Sequence, residues 1–107
     1  MSLLRQLGLL NREGMKACNE GKLDDALFQL IQADRMAKEM DSRLHEAKIR
    51  NNIGLVHQVS GKKDEASACF KLAAHFAVEG AGEGNALHKA IVRNLTRLES
   101  ASPAGAV

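Results

Sequence analysis

Apolar residues recur along this chain at spacings of three and four, and strict alternation appears nowhere. That is the pattern of helices burying one face, so the chain reads as all-α. A first helix over residues 3–20 carries Leu3, Leu7, Leu10, Gly14, Ala17 and Cys18 along one stripe. Gly21 follows, able to take the left-handed conformation that closes a helix. A second helix runs from about Leu23 to Met40, turning Ala26, Leu27, Leu30, Ala33 and Ala37 inward. Its first turn holds Asp24 and Asp25, where carboxylates meet unpaired N–H groups and the positive end of the dipole.

Asp41 or Ser42 caps a third helix reaching Ser60, and Gly61 ends it as Gly21 ended the first. The fourth starts at Lys63, again with acids first (Asp64, Glu65), and buries Ala66, Phe70, Ala73 and Ala77. The glycine-rich EGAGEGN, residues 79–85, reads as a loop. Asn85 is placed to cap a fifth helix over 86–99, and SASPAGAV at 100–107 has nothing to pack against and is expected to be disordered. Residues 1–99 therefore form one domain of five helices, with a tail at 100–107.

Two stretches share one skeleton. Aligning the segments that start at Leu7 and Ala47 gives eight identities in thirty-one positions. They are Asn11/Asn51, Gly14/Gly54, Gly21/Gly61, Lys22/Lys62, Asp24/Asp64, Ala26/Ala66, Ala33/Ala73 and Ala37/Ala77. Two unrelated amphipathic hairpins would match in apolar class, not in small residues at fixed places. Gly14 and Ala26 belong where the helices of a hairpin cross, since a bulkier side chain would push the axes beyond the usual 8–10 Å or so. Ala33 and Ala73 do the same between one hairpin and the next helix. Neither hairpin can bury its apolar side alone, so stacking must make the core.

On these residues the chain resembles the tetratricopeptide repeat family. The family's small residue in the first helix matches Gly14 and Gly54. Its alanines in the second helix match Ala26, Ala33, Ala66 and Ala73, with Leu30 and Phe70 at the larger apolar position between them. The forty-residue period, longer than the usual repeat of about 34, is similar to the long-repeat branch of kinesin light chains and Leu-Gly-Asn-rich spindle adaptors. Phrases like Asn51-Asn52-Ile53-Gly54-Leu55-Val56-His57 are similar to theirs. The resemblance implies a right-handed α-solenoid of two antiparallel hairpins (about 3–40 and 41–79) plus a capping helix at 85–99. The first unit departs from the pattern, with Glu13 and Ala17 where the family has Leu and Tyr, and His57 fills the second unit's Tyr position. The fifth helix aligns with the third at an offset of 43, His88 on His45, or of 42, with Ile91, Asn94 and Leu95 on Ile49, Asn52 and Ile53.

Charge narrows the partners. Net charge is +2 with both signs scattered, and no basic run or aromatic interleaving points to nucleic acid. Cys18 and Cys69 make neither a disulfide framework nor a C-x-x-C pair, which suits a reducing compartment. The leucine-rich start is broken by Arg5, lacks a cleavage site and is too short to span a bilayer, so a cytoplasmic protein with no membrane partner is expected.

Catalytic patterns are missing from the sequence. None of His45, His57, His75 and His88 follows an acid by three residues, and no His-Glu-x-x-His occurs. His75 and Glu79 read as a solvated i, i+4 pair, His57 as a half-buried core residue with its polar edge satisfied, and the cysteines as small hydrophobes. EGAGEGN follows a helix, carries two acids and lacks the ending of a phosphate loop. A non-enzyme with no cofactor and no metal is expected.

The resemblance instead implies a peptide groove on the inner face of each first helix. By position it would hold Asn11, Arg12 and Met15, then Lys48, Asn51, Asn52, Leu55 and Gln58, with Arg93, Asn94 and Arg97 from the fifth helix. An Asn amide can hold an extended backbone without reading its sequence, and Arg or Lys attracts acidic side chains or a terminal carboxylate. The clamp that family members use for chaperone tails is matched only at Asn52, so those tails are not expected ligands. The alternative is a self-associating module, a homodimer through Leu3, Leu4 and Leu7.

Overall fold

In the computed structural model, which describes residues 2–101, the helices are α1 (Leu3–Asn19), α2 (Leu23–Glu39), α3 (Arg43–Val59), α4 (Lys63–Ala81) and α5 (Ala86–Ser100). No strand occurs among the described residues, so the fold is all-α. The tail expected to be disordered lies, from residue 102 onward, outside the described residues.

Local chemistry sets the helix ends. Gly21 and Gly61 take φ of 79° and 78°. In each case the two residues that leave the helix donate back to its last turn: Gly21 and Lys22 to Cys18 and Ala17, Gly61 and Lys62 to Gln58 and His57. That is the paired closure expected of a left-handed cap. The same closure ends α2, with Asp41 at φ 53° in the glycine position. Asp41 therefore terminates α2, and Ser42, whose hydroxyl accepts from the His45 N–H at 3.3 Å, caps α3. Asn85 caps α5 by accepting from His88 N–H at 2.9 Å.

The stretch Glu79-Gly80-Ala81 corrects the loop expected at 79–85, because it continues α4 and the turn begins only at Gly82. Tertiary contact overrides the weak propensity of Gly80 there. A β-carbon on Gly80 would stand 2.9 Å from the backbone nitrogen of Leu44, so this last turn lies against the start of α3. Glu79 is also paired with His75 at 2.9 Å and Arg43 at 3.8 Å.

Packing follows chain order. The pairs α1/α2 and α3/α4 form hairpins, α3 packs on α2 and α5 on α4, while α1 touches α3 and α3 touches α5. The Cα atoms span 51 × 33 × 17 Å, the thin dimension being that of two helix layers. At the hairpin crossings a β-carbon on Gly14 would meet Leu30 Cγ at 2.8 Å, and one on Gly54 would meet Phe70 Cε1 at 2.6 Å. The small residues thus sit where the sequence pattern put them, each admitting the one large side chain of the facing helix. Leu30 and Phe70 are completely buried.

Two apolar cores result. One joins α1, α2 and α3 around Leu7, Leu30, Ile49, Ile53 and Val56, and the other joins α3, α4 and α5 around Phe70, Ile91 and Leu98. Leu3, expected on the buried stripe of α1, is 44% exposed. The register of α5 is also fixed. Ile91 and Leu98 are buried as Ile49 and Val56 are, an offset of 42, whereas an offset of 43 would put the 39%-exposed Val92 in the place of Ile49.

A methyl group on Gly8, also within α1, would meet nothing within 4 Å. Gly8→Ala should therefore keep the helix-propensity gain of roughly 0.5–1 kcal/mol. Gly54→Ala should lose more than that gain to overpacking, which costs about 1–3 kcal/mol in a filled core. Urea unfolding should move the midpoint up for the first and down for the second. Equal upward shifts would show that α3 and α4 do not cross at Gly54.

Candidate functional site

An open hollow of about 790 Å³ lies between α1 and α3. It gathers Asn11, Arg12 and Met15 from α1 with Lys48 from α3, all four of them expected on the groove, and adds Gly8, Lys16, Asn19 and the acidic Glu20. Arg12, Lys16 and Lys48 are exposed, and among the described residues none of them makes an ion pair. A second hollow of about 460 Å³, lined by Leu44, Ala86 and Leu87, lies between α3 and α5. Lys48 lines both hollows, so they adjoin across α3. Leu44 is 40% exposed there, which gives this half an apolar lining.

The asparagines expected to hold a ligand are engaged with one another. The Asn52 amide donates to Asn11 Oδ1 at 2.8 Å, and the Asn94 amide donates to Asn51 Oδ1 at 3.0 Å. One bond ties α1 to α3, and the other ties α3 to α5. Asn51 is only 9% exposed, so its amide serves the fold. Asn11, Asn52 and Asn94 are half-buried and keep spare donors and acceptors.

Other expected residues scatter. Leu55 packs on the second core, and Gln58 is exposed near the end of α3. Arg93 lines a different hollow, of about 720 Å³, with Gly84, His88, Lys89 and Val92. Arg97, one turn further along α5, is exposed.

Sequence reasoning missed a buried ionic clamp. The Asp34 side chain is 6% exposed and takes Arg50 at 2.8 Å and Lys38 at 3.1 Å on the same oxygen. The signal was present in the repeat alignment, where Arg50 stands in the column of the apolar Leu10. Asp34 Oδ1, Arg50 Nε and His57 Nδ1 are buried without a hydrogen-bond partner. His57 is therefore half-buried as expected, but its polar edge is not satisfied at Nδ1. These three atoms are out of solvent contact, but their side chains line a hollow of about 350 Å³ with Leu27, Ile31 and Cys69, so the cluster that fastens α2 to α3 also forms the wall of a recess.

Burial pushes the thiol pKa of both Cys18 and Cys69 up, and the Arg50 guanidinium beside Cys69 only partly opposes it. Both thiols therefore stay protonated and poorly nucleophilic. His75 and Glu79 form their pair at 67% and 40% side-chain exposure, a solvated contact. Among the described residues no group of three or more His, Cys, Asp or Glu is arranged to hold a metal ion. No helix there is long and apolar enough to cross a membrane.

Two outcomes follow from these polar contacts. Asn94→Ala strands the buried Asn51 carbonyl oxygen and should cost about 1–3 kcal/mol, the usual penalty for a buried unpaired group. Asn52→Ala releases the half-buried Asn11, which water can still reach, and should cost less than about 1.5 kcal/mol. Denaturant titration of both variants checks the order; a reversal would show that Asn51 does not depend on Asn94.

Burial lowers the pKa of His57, with Glu65 opposing and Lys62 and Arg50 reinforcing. The folded state thus holds this imidazole neutral to lower pH than the unfolded chain, whose His titrates near 6.5. As pH falls below about 6.5 the unfolded state takes up the proton first, so stability drops until the folded pKa is passed. His57→Gln should flatten the stability slope over that window, measured by urea midpoints between about pH 7 and pH 5. An unchanged slope would remove His57 as its source.

No family model matches this chain, and neither a curated protein nor a solved structure shows significant similarity to it.

Proposed function

We propose that this chain is a non-catalytic interaction module that grips an extended, acidic protein segment along the faces of α1, α3 and α5. The carrying observation is the hollow between α1 and α3, where Asn11, Arg12, Met15, Lys16 and Lys48 converge with three cations unpaired among the described residues. An anionic segment laid there gains charge-assisted hydrogen bonds from Arg12 and Lys48. The spare amide groups of Asn11 and Asn52 would hold its backbone, and the adjoining hollow at Leu44 and Leu87 would take an apolar side chain.

The architecture that suits this reading is a right-handed solenoid of two tetratricopeptide-like hairpins closed by α5. Its support is the order of contacts. First helices touch first helices, α1 to α3 and α3 to α5, while α2 and α4 do not meet. A layer whose members touch, beside one whose members stand apart, bends toward the first layer. That bend makes α1, α3 and α5 the hollow side.

Screening a library of extended peptides that differ in acidity tests the reading. Acidic members should bind and perturb the amide resonances of Asn11, Arg12, Met15 and Lys48. Arg12→Glu with Lys48→Glu should weaken them at least about tenfold, with the helical circular dichroism unchanged. Undiminished binding by the double variant would overturn the groove.

Exposed leucines on α1 favour a second reading, self-association. Leu3, Leu4 and Leu9 are 44%, 52% and 44% exposed, whereas Leu7, expected at the contact, is 3% exposed and belongs to the core. A homodimer would therefore have to use Leu3, Leu4 and Leu9. Sedimentation of a strict monomer at micromolar concentration would exclude it.

A further inference from the structure

Helix α5 occupies a place in the fold that is only half used. It packs on α4 as α3 packs on α2. Yet α2 covers α1 and α4 covers α3, while no described helix covers α5. At the offset of 42 fixed by Ile91 and Leu98, the α3 residues Ala47, Asn51, Gly54 and Leu55 correspond to Lys89, Arg93, Thr96 and Arg97. In α3, Ala47, Gly54 and Leu55 are small or apolar and pack in the second core, with Gly54 against Phe70 of α4, while Asn51 pairs with Asn94 of α5. In α5 the corresponding face is exposed and basic.

We propose that this outward face of α5 docks an acidic amphipathic helix of a partner protein. Lys89, Arg93 and Arg97 recur every four residues and so form one row, about 12 Å long at the helical rise. Among the described residues none of the three makes an ion pair. Val92 lies beside the row at 39% exposure, on the rim of the hollow of about 720 Å³ that also holds His88, Gly84 and one acid, Glu83.

Thr96 sets the mode of contact. Gly14 and Gly54 let a helix approach within the reach of a single buried side chain, and a threonine at the same place holds a helix further out. The incoming helix must then be met by long side chains, which Lys89, Arg93 and Arg97 supply. A face that only ended the fold would need polarity, not one sign. Elsewhere the exposed surface mixes signs, as in Lys38 beside Glu39 on α2.

The row is too short for a polyanion. Nucleic-acid binding draws on many phosphate contacts and a basic domain, and the net charge here is +2 with no Phe, Tyr or Trp on α5 for a base to stack on. A membrane-surface helix would need a broad apolar face, and α5 exposes only Val92 among large hydrophobics.

A synthetic helix of about 18 residues, long enough to hold helical structure, tests this with Glu at every fourth position beside a leucine stripe. The controls carry Gln or Lys in place of Glu. The Glu helix should bind saturably and perturb the amides of Lys89, Val92, Arg93 and Thr96, more weakly as salt rises. Lys89→Glu with Arg93→Glu should weaken it at least about tenfold and should let the Lys helix bind instead. Arg12→Glu with Lys48→Glu should leave it unchanged, which separates this surface from the groove. Equal binding of the Gln helix, perturbation centred on Asn11, Arg12 and Met15, or tighter binding of duplex DNA or phosphatidylserine vesicles to the same α5 residues would overturn it.

Discussion

The close crossing of helices at Gly14 and Gly54 is the constraint on which the remaining structure depends. With no β-carbon in the way, Leu30 and Phe70 enter the opposite helix and become completely buried. Once the axes are that near, the positions flanking each anchor must also be small. Ala26, Ala33 and Ala37 on α2, and Ala66, Ala73 and Ala77 on α4, are all fully buried. Alanines contribute little transfer free energy individually. Their effect is to let backbones approach, so that many dispersion contacts form at good distance. A core with few aromatics is thereby held by a few large anchors: Phe70, Leu30, Ile49, Ile91 and Val56.

Apolar packing is non-directional and would tolerate sliding of one hairpin along the next. Polar contacts remove that freedom. Asp34 and Arg50 join α2 to α3, and the two Asn pairs join α1 to α3 and α3 to α5. A buried ion pair adds little net stability because both groups lose water. Its larger effect is on register, since a displaced α3 would leave Asp34 buried without its guanidinium. Helix α3 carries both devices and supplies residues to both cores, which makes it the element through which the two hairpins are fastened.

What could be read from the sequence was whatever local chemistry or the repeat itself dictates. The closing glycines Gly21 and Gly61, the caps at Ser42 and Asn85, and the small residues at the crossings belong to that class. Pairings across the fold do not, because they join residues far apart in sequence. Asn11 and Asn52 are 41 positions apart, and Asn51 and Asn94 are 43 apart. Position in a repeat suggested that all four amides face a ligand, but two adjacent asparagines on one helix point to different neighbours. The end of α4 was hidden for the same reason, since Gly80 reads as a loop until Leu44 is seen beside it. Of the candidate groove, Asn11, Arg12, Met15 and Lys48 converge, whereas Leu55 turns into a core and Arg93 lines another hollow.

The asparagine pairs also explain where the basic residues fall. On each first helix two adjacent positions serve the pairing, one toward the helix before and one toward the helix after. In α3 these are Asn52 and Asn51, and both are used. In α1 only the forward position has a neighbouring helix, and it is Asn11; the backward position is Arg12. In α5 only the backward position has one, and it is Asn94; the forward position is Arg93. Asparagine thus stands wherever a helix answers it, and arginine wherever none of the described helices does. An amide left without its partner would be a short polar group on a flat face. A guanidinium in the same place reaches outward with five donors, and each of the two arginines lines a hollow. The same two positions that lock the helices together therefore carry exposed charge where no described helix pairs with them.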